Sequence, residues 1–104
     1  MKFYFHPMAD KELLELSRDK QKFVKDVVKE FKEEGMNYKR FGKFTDKNAD
    51  IDCFRLKLKE KESIEINQRV IISIIDQKFV AYGIEHRENV YSEDYLEKVK
   101  DRMY

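Results

Sequence analysis

The chain has no tryptophan, one cysteine, one proline and three glycines among its 104 residues. Cys53 has no second cysteine to pair with, so a disulfide-stapled fold is excluded and a reducing compartment fits. At a strand start among apolar neighbours, that thiol reads as buried and structural rather than nucleophilic. With proline and glycine so sparse, there is no linker, repeat or low-complexity tract to divide the chain, and residues 1–104 are expected to form one domain around one modest core. No apolar run is long enough to cross a bilayer, and no signal-peptide pattern follows Met1, so a soluble cytoplasmic protein is expected. An excess of one charge is missing too: 22 basic and 21 acidic residues leave a net charge of +1. Bulk charge therefore decides nothing about a polyanionic partner, and only its distribution is informative. Residues 1–35 are balanced, residues 36–69 carry nine basic against six acidic groups, and residues 70–104 carry five against seven.

Taken in order, Lys2-Phe3-Tyr4-Phe5 reads as a short strand, closed by His6-Pro7. Met8–Ser17 reads as a short helix. Asp19 is the expected N-cap of a longer helix reaching about Glu34, with Phe23, Val24, Val27, Val28 and Phe31 on one face. Gly35 stands where a left-handed C-cap is wanted. Met36–Asp50 is polar and irregular, a mobile loop pinned by Phe41 and Phe44. A strand from Cys53 to about Lys61 follows, with a turn at Glu62-Ser63 and a new extended run from Ile64. Arg69–Ile75 is strongly β-prone, and Asp76-Gln77 is a tight hairpin turn to a last strand, Lys78–Glu85. His86–Tyr91 leaves the sheet, and Ser92 caps a terminal helix. The expected architecture is α+β, in the order β-α-α-β-β-β-α, with two N-terminal helices packed on a twisted antiparallel sheet.

The chemistry concentrates in Cys53–Lys59. Phe54, Leu56 and Leu58 alternate with Arg55, Lys57 and Lys59, so one face of a strand is apolar and the other carries three cations with no acid among them. Alone, such a face is more often a solvated strand whose lysines discourage edge pairing. Later residues reverse that balance. Arg69 opens an otherwise apolar strand, and Arg87 and Tyr91 lie just beyond the last one. If consecutive strands pair, these six side chains converge on one sheet face. Guanidinium forks suit phosphate oxygens, ammonium groups add charge, and a phenol can stack on a base or exchange a proton. Plainer roles exist for each: Arg55 and Lys59 as surface charge, Tyr91 as an anchor for the terminal helix, His86 as a structural hydrogen-bonder. The two histidines have no metal-ligand spacing, and no P-loop, dinucleotide fingerprint or nucleophile elbow occurs, so no metal and no cofactor are expected.

The helix pair, C-F-R-L-K-L-K at Cys53–Lys59, R-V-I-I at Arg69–Ile72 and H-R-E-N-V-Y at His86–Tyr91 together resemble the RelE/ParE toxin superfamily over nearly the whole chain. RelE-type members are toxins of type II toxin–antitoxin systems that cut mRNA on the ribosome without metal, by attack of the 2′-hydroxyl on the adjacent phosphate. The resemblance implies that Lys57 activates the 2′-hydroxyl with help from Arg55, that Arg69 and Arg87 hold the phosphate and its developing charge, and that Tyr91 stacks or transfers a proton. Lys59 and His86 would join Arg55 in contacting RNA. A lysine is a poor base at neutral pH, so neighbouring cations must lower its pKa. The implied partners are the ribosome, mRNA and a cognate antitoxin. The antitoxin would seat near the helix pair or in place of the Ser92–Met103 helix, and DNA would be touched only through it. The sequence departs from the family pattern in its longer, acidic Glu60–Gln68 connection, in Glu85 where a glycine commonly precedes His-Arg, and in its near-neutral charge. The last points to weaker phosphate-borne affinity for the ribosome. A ParE-like poison of DNA gyrase and a non-toxic relative that keeps only antitoxin binding are the alternatives.

Overall fold

The alternation at Phe54–Lys59 is carried out as a strand: Leu56 and Leu58 are fully buried while Lys57 and Lys59 are exposed. The computed structural model describes residues 2–44, 53–60 and 65–103. In chain order these form β1 (Lys2–Phe5), α1 (Pro7–Leu14), α2 (Arg18–Glu34), a 3-10 turn (Gly35–Asn37), β2 (Phe41–Lys43), β3 (Phe54–Glu60), β4 (Ile66–Ile75), β5 (Lys78–His86), α3 (Arg87–Val90) and α4 (Glu93–Met103).

The sheet order is β1-β5-β4-β3-β2. Strands β2 to β5 pair antiparallel, but β1 runs parallel to β5, from Lys2 opposite Lys78 to Phe5 opposite Ala81. The sheet is therefore mixed rather than wholly antiparallel. No short turn ties β1 to its neighbour, so nothing local imposes the antiparallel sense that a hairpin does. Part of the expected loop is also structured. Phe41, Gly42 and Lys43 pair with Leu56, Arg55 and Phe54, and Phe44 is buried. Residues 45–52 and the Glu62–Ser63 turn lie outside the described residues.

Helix starts follow the available side-chain acceptors. Ser17, in extended geometry, accepts from the Lys20 N–H and caps α2, so the cap falls two residues before Asp19, which instead supplies negative charge to the first turn. Helix α1 begins at Pro7 and stops at Leu14, where the Gln21 side chain donates to the carbonyls of Leu14 and Leu16. Gly35 has a positive φ of 72° at the end of α2, which glycine adopts freely, but its ψ of −152° lies outside the left-handed helical cap expected there.

Two apolar clusters lie on opposite faces of the sheet. Val24, Val27, Val28 and Phe31 of α2 pack with Leu56, Leu58, Val70, Ile72 and Phe79. The alternate residues Cys53 and Ile71, with Phe44 and Tyr82, pack against Tyr95, Leu96 and Val99 of α4. The terminal helix thus adds a layer on the face away from α2, beyond the two layers expected. A bulge permits this: Ile71 pairs with Gly83 and Ile72 with Ala81, leaving Tyr82 as the extra residue. Helix α1 lies along β5 where β1 has ended. There Glu12 accepts from the Ile84 N–H (3.1 Å), the Tyr95 hydroxyl (3.0 Å) and Arg102 (2.8 Å), and Arg102 also donates to the Tyr82 carbonyl (2.8 Å). An ion pair takes up the strand-edge groups that a further strand would have satisfied.

The β4–β5 turn places both Asp76 (φ 49°) and Gln77 (φ 65°) in the left-handed region. Glutamine has no special tolerance for that conformation. Gln77→Gly is expected to raise the thermal midpoint by about 4 °C, read by circular dichroism.

Candidate functional site

The cationic face is built by register. Lys57 of β3 stands opposite Arg69 of β4, which stands opposite Glu85 of β5. Arg55 stands opposite Ile71, and Lys59 opposite Asn67. These residues lie on the same face as Cys53 and Ile71, but α4 covers only that other end. Beyond it the cations are open, and Arg87 joins them from the first turn of α3.

Arg69 is the inward member, 5% exposed. Its Nη1 donates to Asn67 Oδ1 and to the Gln68 carbonyl, each at 3.0 Å, and its Nε has no hydrogen-bond partner among the described residues. Burial lowers its pKa, the adjacent Tyr91 hydroxyl opposes that, and Arg55 and Arg87 add repulsion. A buried, incompletely paired guanidinium costs folding free energy, and that cost asks for a use in the site. Lys57 is exposed, yet its ammonium is held below the ordinary lysine pKa. Arg55 is the largest cause, followed by desolvation and then by Arg69, Lys59 and Arg87. All four charges are cations. Tyr91 is 37% exposed and stacks on Phe44, with ring centroids 5.1 Å apart and planes at 20°. One ring face is spent on that stack, and the hydroxyl lies at Arg69.

The structure therefore brings Arg55, Lys57, Lys59, Arg69, Arg87 and Tyr91 into one neighbourhood. His86 is used differently. Its Nδ1 accepts from the Glu88 N–H at 3.2 Å and caps α3, as His6 Nδ1 accepts from the Met8 N–H at 3.1 Å and caps α1. Glu85, opposite Arg69, accepts from the His86 N–H (2.7 Å) and lines the cleft between α1 and α4. Among the described residues, no three His, Cys, Asp or Glu side chains gather in a way that could hold a metal ion.

Sequence reasoning missed the residues behind β3. Arg40 donates through Nη1 to the carbonyls of Lys57 and Lys59, and its guanidinium lies 5.2 Å from the Phe23 ring centroid. Gly42 lies opposite Arg55. The available signal was Gly42 between Phe41 and Lys43, since a glycine within an extended segment marks a strand approached closely by another group.

The chain superposes on a RelE toxin of E. coli, an arginine double mutant in the free state, with a TM-score of 0.64, 15% identity and coverage of 99% of this chain and 97% of that one. The fold is RelE-like. It also matches a chain of the archaeal RelE–RelB complex from Pyrococcus horikoshii OT3, with a TM-score of 0.62, 17% identity and coverage of 85% of this chain and 96% of that one. No protein-family model matches the chain, and no curated protein matches its sequence. In this RelE-like fold the cationic cluster occupies the exposed end of the sheet face that α4 leaves free. No helix among the described residues is long and apolar enough to cross a membrane.

Proposed function

We propose that this protein is the toxin of a toxin–antitoxin pair and cuts mRNA on the ribosome, using its own cations in place of a metal ion. The observation that carries the proposal is Lys57, its pKa depressed by four cations, standing opposite the buried Arg69 with the Tyr91 hydroxyl beside it. A depressed pKa gives Lys57 a larger share of neutral amine at neutral pH, which is what a proton acceptor needs. Lys57 removes the 2′-hydroxyl proton, and that oxygen attacks the adjacent phosphorus. The bond from phosphorus to the 5′-oxygen breaks, leaving a cyclic phosphate and a 5′-hydroxyl. Arg69 and Arg87 hold the phosphate as its charge grows, and Tyr91 supplies the proton to the leaving oxygen. Arg55 and Lys59 hold the RNA backbone. His86 fits a supporting role, since its Nδ1 is occupied in capping the turn that presents Arg87.

The neighbouring RelE is in complex with RelB, which supports a proteinaceous antitoxin as the partner of this chain. The ribosome supplies what the small open site lacks, an mRNA strand held for in-line attack.

The deciding experiment is primer extension on a defined mRNA with purified ribosomes, with and without EDTA. Cuts inside codons only when ribosomes are present, and unchanged by EDTA, are expected. An intact message from folded protein would remove the proposal; growth arrest with DNA damage signalling would then favour gyrase, and harmless expression an inactive antitoxin binder. Arg87→Ala is expected to abolish growth arrest while leaving the melting midpoint within about 2 °C, because an exposed arginine carries little of the fold. Full toxicity of that variant would take Arg87 out of the site.

A further inference from the structure

Arg55 contributes most to the electrostatics of Lys57, and the structure shows what holds it. Its Nη1 donates to the Arg40 carbonyl at 3.2 Å, across β2. The same carbonyl accepts from the Lys57 N–H at 2.9 Å, so one oxygen fixes both the backbone of Lys57 and the side chain of its chief neighbour. The guanidinium lies across Gly42, its cross-strand partner. A Cβ at that position would sit 3.0 Å from Nη2, 3.2 Å from Cζ and 3.3 Å from Nη1. Gly42 has no positive φ to require glycine. The space above it is used by Arg55 instead. A fixed arginine is worth more to a site than a mobile one, because its charge needs no reorganisation when an anion arrives.

We propose that Gly42 and the Arg40 carbonyl are positioning elements of the cationic site, holding the Arg55 guanidinium flat against β2 at one place beside Lys57. They touch no substrate and act only through Arg55. Among the described residues, the charged groups that act on Lys57 are Arg55 and Lys59 on its own strand, Arg69 from β4 and Arg87 from α3, and Arg55 is held by the Arg40 carbonyl beside β2. The inference deepens the proposed function, since it rests on Lys57 as the proton acceptor. Its test needs no RNA.

The experiment is an NMR titration of Lys57 in the isolated protein carrying 13C-labelled lysine, assigned with Lys57→Met. Gly42→Ala crowds the guanidinium, which must give by a few tenths of an ångström, and the larger Gly42→Val displaces it from β2 toward solvent, where its repulsion is screened. The Lys57 titration is expected to rise toward the ordinary lysine value in each, and further with valine. In an Arg55→Ala background the same Gly42 substitutions are expected to move it no further, the signature of a residue acting through another. Arg55→Lys keeps a cation that cannot fork onto the Arg40 carbonyl, and Gly42→Ala should be silent there too. Alanine at position 42 is the milder change should valine disturb β2. No rise in either Gly42 variant, or an equal rise without Arg55, would overturn the positioning role. Intact mRNA in the ribosome assay would count against the proposed cleavage alone and leave the positioning result standing.

Discussion

Lys57→Met is expected to lower ribosome-dependent cleavage by about 10²- to 10⁴-fold, the usual worth of a positioned proton acceptor. Methionine keeps much of the stem and loses the amine, so RNA-binding losses are kept small. In the unsubstituted protein the rate is expected to climb with pH and level off below 10.5, the ordinary lysine value, because Arg55 and its fellow cations favour the neutral amine. Arg55→Ala should move that inflection upward. A pH profile with no inflection in this range, or undiminished cleavage by Lys57→Met, would end the role of Lys57. Stability rises over the same pH range. The pKa of Lys57 is lower folded than unfolded, so between the two values the unfolded chain binds the additional proton and stability rises with pH. Below the folded value the repulsion is present in full. Lys57→Met removes it, and the inactive variant should melt at or slightly above the temperature of the parent, as is common where function holds like charges together.

Glu12→Ala is expected to cost about 3 kcal/mol, a fall of about 15 °C in the thermal midpoint. The Arg102 side chain is 8% exposed and that of Glu12 17%, so the pair sits largely out of water. Loss of the carboxylate strands the Arg102 guanidinium, the Tyr95 hydroxyl and the Ile84 N–H together. Burial, and then Glu12 beside it, hold the Tyr95 phenol well above the usual tyrosine pKa, which favours the protonated form that donates to Glu12. Glu12→Gln keeps an acceptor and should cost less. Glu12→Leu with Arg102→Met should recover part of the loss but not all, because the Tyr82 carbonyl and Ile84 N–H keep no partner. A midpoint within 4 °C of the parent for Glu12→Ala would mean that water replaces the carboxylate without penalty. Gly83 belongs to the same assembly: a Cβ there would collide with the Tyr95 hydroxyl, so a bare backbone is what lets that phenol cross to Glu12.

The cation cluster was legible because period-two alternation assigns faces without any knowledge of neighbours, and Arg69 in an isoleucine-rich strand is anomalous wherever the strand lies. Short turns then fixed the pairing of β4 with β5. Long connections carry no such information, which is why the parallel β1–β5 pairing escaped and the sheet looked wholly antiparallel. The three-residue β2 escaped because its polar surroundings looked like a loop. Glu12 gave no signal at all. On α1 it resembles any solvated helix acid, and its importance comes from two strand-edge groups and an arginine at the far end of the chain. His86 was legible as a hydrogen-bonder, its residue type suiting either ring nitrogen to a cap, but the sequence could not say that the cap would lie beneath Arg87.

Glu12 and Arg102, which close the edge of β5 together, are 90 positions apart in the chain. Polypeptide emerges from its N-terminus, so every strand of the sheet is made before the arginine that seals it. A nascent chain in that interval has Glu12 to cover the Ile84 N–H but lacks Arg102 at the Tyr82 carbonyl, a point on the ribbon edge able to accept a stranger's strand. The hazard belongs to biosynthesis rather than to the finished molecule. It is relieved only when the last turn of α4 arrives.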